Sequence, residues 1–270
     1  MWMCEHCDIL NGERMKRILL EVCCGSADDV IEAYKAGADR VELNSNLFHG
    51  GLTPTIGTLL VAKRETDVPV MAMVRPREGG FCYTDMEYQV CLKDAEMLIN
   101  NGADGLVFGF LTADGKIDPE RTRRVAEIAK NAGKETVFHR AIDVVPDWKE
   151  AVDLLAELGI TRILTSGQEP DVSDATDTIR EMIDYAGERI QILPGAGITM
   201  RNIRRVAKET GASQLHVAVH RSFTDTSTAN NRSIYYGGCL YPPEDRFQII
   251  DGASVERMKG FIRESEYKGA

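Results

Sequence analysis

Eight short β-branched or apolar runs, each followed by an amphipathic helical stretch, recur through nearly the whole chain. They begin near Ile18, Arg40, Val68, Gly105, Glu135, Thr161, Ile190 and Gln214, at intervals of 22 to 37 residues. Each interval holds one strand, one helix and their turns. Such alternation specifies an α/β fold whose parallel sheet is covered by helices. Eight units in about 250 residues match a closed (β/α)8 TIM barrel. Periodicity alone leaves an open doubly wound sheet as the alternative.

Capping chemistry marks the helices. Ser26-Ala27-Asp28-Asp29 opens one that ends at Ala36-Gly37-Ala38-Asp39, and Gly102, Gly133, Gly159 and Gly211 stand where others should stop. No Pro/Ser-rich linker divides the chain, so a single domain over residues 16–270 is expected, with residues 1–15 as an amino-terminal extension. The longest stretch without clear periodicity runs from Phe223 to Pro243, and loops of that length commonly cover a site.

Composition narrows the function classes. The 270 residues carry 32 Lys plus Arg against 42 Asp plus Glu, a formal charge of −10, and no window gathers a basic stripe, so nucleic acid is not an expected partner. No apolar run approaches the roughly 20 residues that span a bilayer, and the first residues lack signal-peptide regions, so no membrane association and a cytoplasmic location are expected. Seven cysteines in a chain able to build its own core read as reduced thiols.

Alternation in a barrel strand sends every second side chain inward, and inward residues late in a strand face the mouth where barrel active sites form. One parity holds Glu21 and Cys23 in the first run, Glu42 and Asn44 in the second, and Met71, Met73, Arg75 and Arg77 in the third. The fifth run gives His139 and Asp143, and the eighth His216 and His220. Acids, arginines and histidines aimed into one mouth predict a functional pocket, because buried charges need partners and shift their pKa values. A structural ion-pair network of Glu21 and Glu42 with Arg75 and Arg77 is the competing reading. Gly195 and Gly197 after the seventh run can bring bare N–H groups to an anion, and Thr165-Ser166-Gly167 after the sixth offers hydroxyls. His49, before Gly50-Gly51, reads as loop structure.

For metals, Cys4-Glu5-His6-Cys7 contains a CxxC but no second pair at matching spacing, so it reads as a leader segment rather than a structural zinc site. Copper(I) wants two or three soft ligands, and Cys23, Cys82, Met71 and Met73 are the candidates, the methionines reading first as core filler. A divalent metal held by Glu21, Glu42 and His139 is a further possibility. No nucleotide cofactor is expected.

The run of motifs resembles the CutC family across residues 17–264. It rests on LLEVCC at 19–24, GADRVEL at 37–43, GGLTPTIG at 50–57, VRPREGGFCYTD at 74–85, FHRAID at 138–143, ELGITRILTSG at 157–167 and PGAGIT at 194–199. The resemblance implies a (β/α)8 barrel, a cytosolic setting, a homo-oligomer and a role in copper homeostasis with Cu(I) binding. Family members often place a proposed copper-binding cysteine after the RVEL block, where this chain has Asn44, while Cys23 matches the partner position. Glu21, Glu42, Arg75, Arg77, Tyr83 and Asp85 match, as do His139, Arg140, Asp143 and Thr165-Ser166-Gly167. Two functions are therefore expected in competition. One is a copper-handling protein with Cys23 as its metal ligand. The other is an isomerase- or lyase-like enzyme acting on a small anionic or sugar-like substrate. Its catalytic set would be Glu21, Glu42, His139 and Asp143, with Arg75, Arg77, Tyr83, Asp85 and His216 helping to bind the substrate.

Overall fold

In a computed structural model, the described residues are 9–10, 13–14, 18–236 and 244–267. Cys4, His6 and Cys7 lie outside them. Eight parallel strands form the centre: β1 (Leu19–Cys24), β2 (Arg40–Leu43), β3 (Val70–Met73), β4 (Gly105–Phe108), β5 (Glu135–Phe138), β6 (Arg162–Thr165), β7 (Gln191–Pro194) and β8 (Gln214–Val217). β8 pairs beside β1, and the others follow in chain order to β7. The seam between β7 and β8 is bridged by Gln214, whose Nε2 donates to Gln191 Oε1 at 3.2 Å and to the Ile192 carbonyl at 3.4 Å. The result is a (β/α)8 TIM barrel.

Each strand is followed by a helix: α1 (Ala27–Lys35), α2 (Ile56–Glu65), α3 (Asp85–Asn100), α4 (Pro119–Asn131), α5 (Trp148–Glu157), α6 (Thr176–Ala186), α7 (Ile203–Thr210) and α8 (Gly252–Tyr267). Their boundaries follow from local chemistry. Ser26 accepts from Asp29 N at the start of α1, and Thr84 with Glu87 makes a capping box at the start of α3. Past the helix ends, Gly37, Gly102, Gly133, Gly159 and Gly211 all take positive φ, which reverses the chain toward the next strand at no steric cost.

Strand alternation sorts the core. Leu20, Val22 and Cys24 of β1 point outward into the large cluster shared with the helices. Inward-facing Met71, Met73, Val107, Val137, Leu164 and Leu193 form a second cluster that plugs the barrel, so the methionines are interior packing. Each such side chain contributes about 1.5–3 kcal/mol by leaving water. Below the plug lies a polar layer: Arg40 pairs with Glu21 and donates to Gln214 Oε1 at 2.8 Å, while Arg162 donates to Glu135 at 2.6 Å and Gln191 at 3.2 Å.

The stretch expected to lack periodicity, residues 223–243, begins in the last two residues of β9 (His220–Thr224) and has no further strand among its described residues. β9 pairs antiparallel with β10 (Arg246–Ile250), which follows that stretch, and Phe223 stacks on Phe247 at 5.6 Å. The apolar pair crosses from one strand to the other, so neither strand shows it alone. Residues 9–10 and 13–14 form a separate short antiparallel pair.

Candidate active site

At the carboxyl end of the strands lies a cavity of about 1100 Å³, floored by Met73 and Leu164 and walled partly by Ser222, Arg246, Phe247 and Gln248 of the β9–β10 hairpin. It is large enough for a small metabolite.

One wall is built by β1, β2 and β8. In register, Cys23 lies beside Glu42 and His216 beside Glu21. Arg40 and His216 Nδ1, the latter at 2.8 Å, both bond the Glu21 carboxylate, which is 2 % exposed. Burial works to raise the Glu21 carboxyl, but Arg40 and then His216 outweigh it and hold the group well below the usual carboxylate range. An anionic Glu21 makes His216 donate through Nδ1–H, which leaves Nε2 facing Glu42 Oε2 at 3.9 Å. Burial disfavours charge on His216, yet Glu42 and Glu21 together raise its pKa. Glu42 is itself raised, chiefly by burial. Its Oε2 accepts from Asn44 Nδ2 at 2.8 Å and from Cys23 Sγ at 3.6 Å. Burial, then Glu42, pushes the Cys23 thiol up.

A second group on the lining is a donor set. His139 follows β5 and caps the 3-10 turn Arg140–Val144; its Nδ1 accepts from Ala141 N at 3.1 Å, so the ring proton sits on Nε2. Burial, and then Arg75, lowers its pKa to about 3, so the imidazole is neutral at neutral pH. The ring fits because residue 109 is glycine: a Cβ there would lie 2.4 Å from His139 Cε1. Phe81 lies 4.8 Å from the His139 ring and 5.5 Å from the Arg75 guanidinium.

Polar atoms without partners concentrate here. Among the described residues, Glu42 Oε1, Asn44 Oδ1, Arg75 Nε, His139 Nε2 and His220 Nε2 are buried without a hydrogen bond, and all five side chains line this cavity. Native interiors leave few such groups, and a cluster around one cavity marks where a ligand would supply the missing bonds.

Several sequence candidates lie elsewhere. β3 ends at Met73, so strand parity does not extend to residues 75 and 77. Arg75 reaches the cavity wall, but its terminal nitrogens donate to the carbonyls of His49, Gly50, Gly51 and Gly79 at 2.8–3.1 Å. Arg77 lies off the cavity, bonding Glu87 at 2.6 Å and the carbonyls of Gly80 and Cys82 at 3.1 Å. The expected network of these arginines with Glu21 and Glu42 does not form; Arg40 takes that place beside Glu21. Arg40 shares the inward parity of Glu42, so the sequence held the clue. Tyr83 is buried in the outer core, and Asp85 pairs with Arg121 at 2.6 Å.

Asp143 lies on the 3-10 turn rather than in β5, so strand parity fails there as well. It receives Thr165 Oγ1 at 2.5 Å and Ser166 Oγ at 2.8 Å, tying the ends of β5 and β6 together away from the cavity lining. Gly195 donates to the Thr165 carbonyl at 2.9 Å. Gly197 does line the cavity, but a Cβ there would fall 2.1 Å from Asp171 Oδ2, so a carboxylate crowds the expected anion position. Cys82 is exposed and off the cavity. The divalent set Glu21, Glu42 and His139 does not assemble either. Among the described residues, the grouping of three possible donors is Cys23, Glu42 and His216, whose ligand atoms lie within 4.8 Å of one another.

Fold and mouth together define a TIM-barrel protein with a buried carboxylate–imidazole–thiol cluster opening on a small-molecule cavity. The sequence model of the CutC family matches residues 18–221, and the chain belongs to that family. It is 54% identical to the family protein CutC of Treponema denticola over 249 residues, 92% of this chain and 99% of that one. It is 37% identical to the human copper homeostasis protein cutC homolog, covering 91% of this chain and 89% of that one. The crystal structure of CutC from Streptococcus agalactiae superposes with a TM-score of 0.70 at 36% identity, over 74% of this chain and 97% of that one. No helix among the described residues is long and apolar enough to cross a membrane.

Proposed function

We propose that the barrel mouth is the active site of an enzyme that moves a proton at a carbon next to a carbonyl on a small anionic substrate. The observation that carries this reading is that two unpartnered groups line one cavity, the Glu42 carboxylate Oε1 and the neutral His139 Nε2–H. A carboxyl raised by burial is a base tuned toward neutral pH, and a neutral imidazole donates to a carbonyl oxygen as negative charge develops there. Glu42 would take the proton from carbon while His139 bonds the enolate oxygen. His216, fixed by Glu21, stabilises the anionic form of Glu42 in the resting enzyme. Arg140, already paired with Asp143 at 2.8 Å, and Arg246, 3.9 Å from Asp245, are the arginines on the cavity wall besides Arg75 that an anionic substrate could reach. The free thiols among the described residues suit a reducing, cytosolic compartment.

A test follows solvent deuterium incorporation at carbon by NMR, with the protein in heavy water and a panel of small phosphorylated or carboxylated hydroxy-carbonyl compounds. At least one compound should exchange, and Glu42→Gln should slow it by about 10²–10⁴-fold, the usual worth of a general base. Exchange unchanged in that variant, or no exchange with any compound, overturns the reading.

The names of the relatives suggest copper, but the donors here do not fit Cu(I). Asn44 turns its amide nitrogen, not a lone pair, toward Cys23 Sγ at 3.6 Å, leaving one soft ligand where two or three are needed. Chelator competition should accordingly show only weak Cu(I) binding, unaffected by Cys23→Ser.

A further inference from the structure

We infer that Cys23, Glu42 and His216 form a binding site for one borderline divalent cation, zinc being the natural probe. The inference goes beyond the proton-transfer reading and does not depend on it.

A tetrahedral zinc ion with bonds of about 2.0–2.3 Å holds its ligand atoms roughly 3.3–3.6 Å apart. Cys23 Sγ lies 3.6 Å from Glu42 Oε2, and His216 Nε2 lies 3.9 Å from the same oxygen. The three side chains come from strands β1, β2 and β8, so the sheet rather than a loop fixes them. The third pair, Cys23 Sγ and His216 Nε2, lies within 4.8 Å, so closing around an ion needs side-chain movements of up to about 1 Å and no shift of the strands.

The surroundings also suit a cation. Glu21 accepts from His216 Nδ1 at 2.8 Å, the carboxylate–imidazole arrangement that orients a metal-binding histidine and leaves Nε2 free for the ion. Asn44 Nδ2 bonds Glu42 Oε2 at 2.8 Å and steadies the second ligand. The Glu42 carboxyl is 3% exposed and its Oε1 has no partner, so a buried group at this point already lacks a bond. Charge balances as well. The Cys23 thiol, and His216 Nε2 where it is protonated, give their protons to solvent as the ion binds, and thiolate plus carboxylate neutralise a divalent ion while Arg40 neutralises Glu21. All three ligands line the cavity, which leaves the fourth position open toward it, the arrangement of a catalytic rather than a structural zinc site.

The ligand set N, O, S differs from the two-thiolate copper arrangement, and it selects a borderline divalent ion over a soft monovalent one.

The experiment uses the full chain carrying Cys4→Ser and Cys7→Ser, so that the amino-terminal CxxC contributes nothing. Zinc is titrated against a chromophoric chelator, and cobalt(II) is then substituted to read the thiolate-to-metal absorption. One equivalent should bind, with a cobalt–thiolate band. Cys23→Ser should abolish the band and weaken zinc by more than about 100-fold, while Cys82→Ser leaves both unchanged. Should Cys23→Ser fail to fold by circular dichroism, Glu42→Gln serves instead, with the same loss of affinity expected. Absence of stoichiometric zinc binding in the parent, or full affinity in whichever folded variant is tested, overturns the inference.

Discussion

His139 is neutral in the folded protein because burial, and then Arg75, lowers its pKa to about 3, against 6.5 for an ordinary histidine. Between those values the unfolded chain takes up a proton that the folded chain refuses. Stability should therefore fall as pH drops below 6.5, by up to about 1.4 kcal/mol per pH unit, until the folded group also protonates. Urea unfolding of the parent and of His139→Gln at several acidic pH values checks this; parallel slopes would refute it. His216 has the opposite sign. Its raised folded pKa lends stability that is complete below 6.5 and lost as pH climbs through the raised value. A His216→Gln variant should lack that alkaline-side loss in the same measurement. Neither behaviour could be read from sequence, because it depends on which charges meet each ring. His216 meets Glu21 and Glu42; His139 meets Arg75.

At the scale of elements, strand starts were legible to within about two residues because β-branched runs and glycine-terminated helices punctuate the chain. Inward parity correctly brought Cys23, Glu42, Asn44 and His216 to one wall, all within or one residue past a strand. Further along it was uneven: Arg75 and His220 still line the cavity, while Arg77 lies off it beyond the end of β3 and Asp143 sits on a 3-10 turn. Period-two arguments hold only while the backbone stays extended. Close approach between elements left a fainter trace. Gly109, after β4, gives the His139 ring its room, and Gly109→Ala should cost about 1–3 kcal/mol in chemical denaturation by forcing that ring aside. Arg75→Ala is expected to cost about 2–3 kcal/mol by leaving the carbonyls of residues 49–51 and 79 without their donor. An unchanged denaturation midpoint in either variant would show that its surroundings adjust freely.

For the whole molecule, closure was the feature periodicity could not deliver, since an open sheet and a barrel share one alternation. What shuts the barrel is long-range and polar: Gln214 of β8 bridges to Gln191 of β7, and Arg40 of β2 reaches Gln214 across β1. A chain ending before Gln214 should accordingly show no cooperative thermal transition, because β1 and β7 would both be left as open sheet edges. A cooperative melt in that truncated chain would show that seven strands suffice.

The bond between Glu21 and His216 joins residues 195 positions apart. On the ribosome, the carboxylate emerges early and waits with Arg40 at an unfinished edge until nearly three-quarters of the polypeptide has followed. Only when the eighth strand docks does the imidazole arrive, so one contact completes both the barrel and the polar cluster at its mouth. A nascent or prematurely terminated chain lacks His216, so under the proposed function any activity would report that synthesis has run to the end of the barrel.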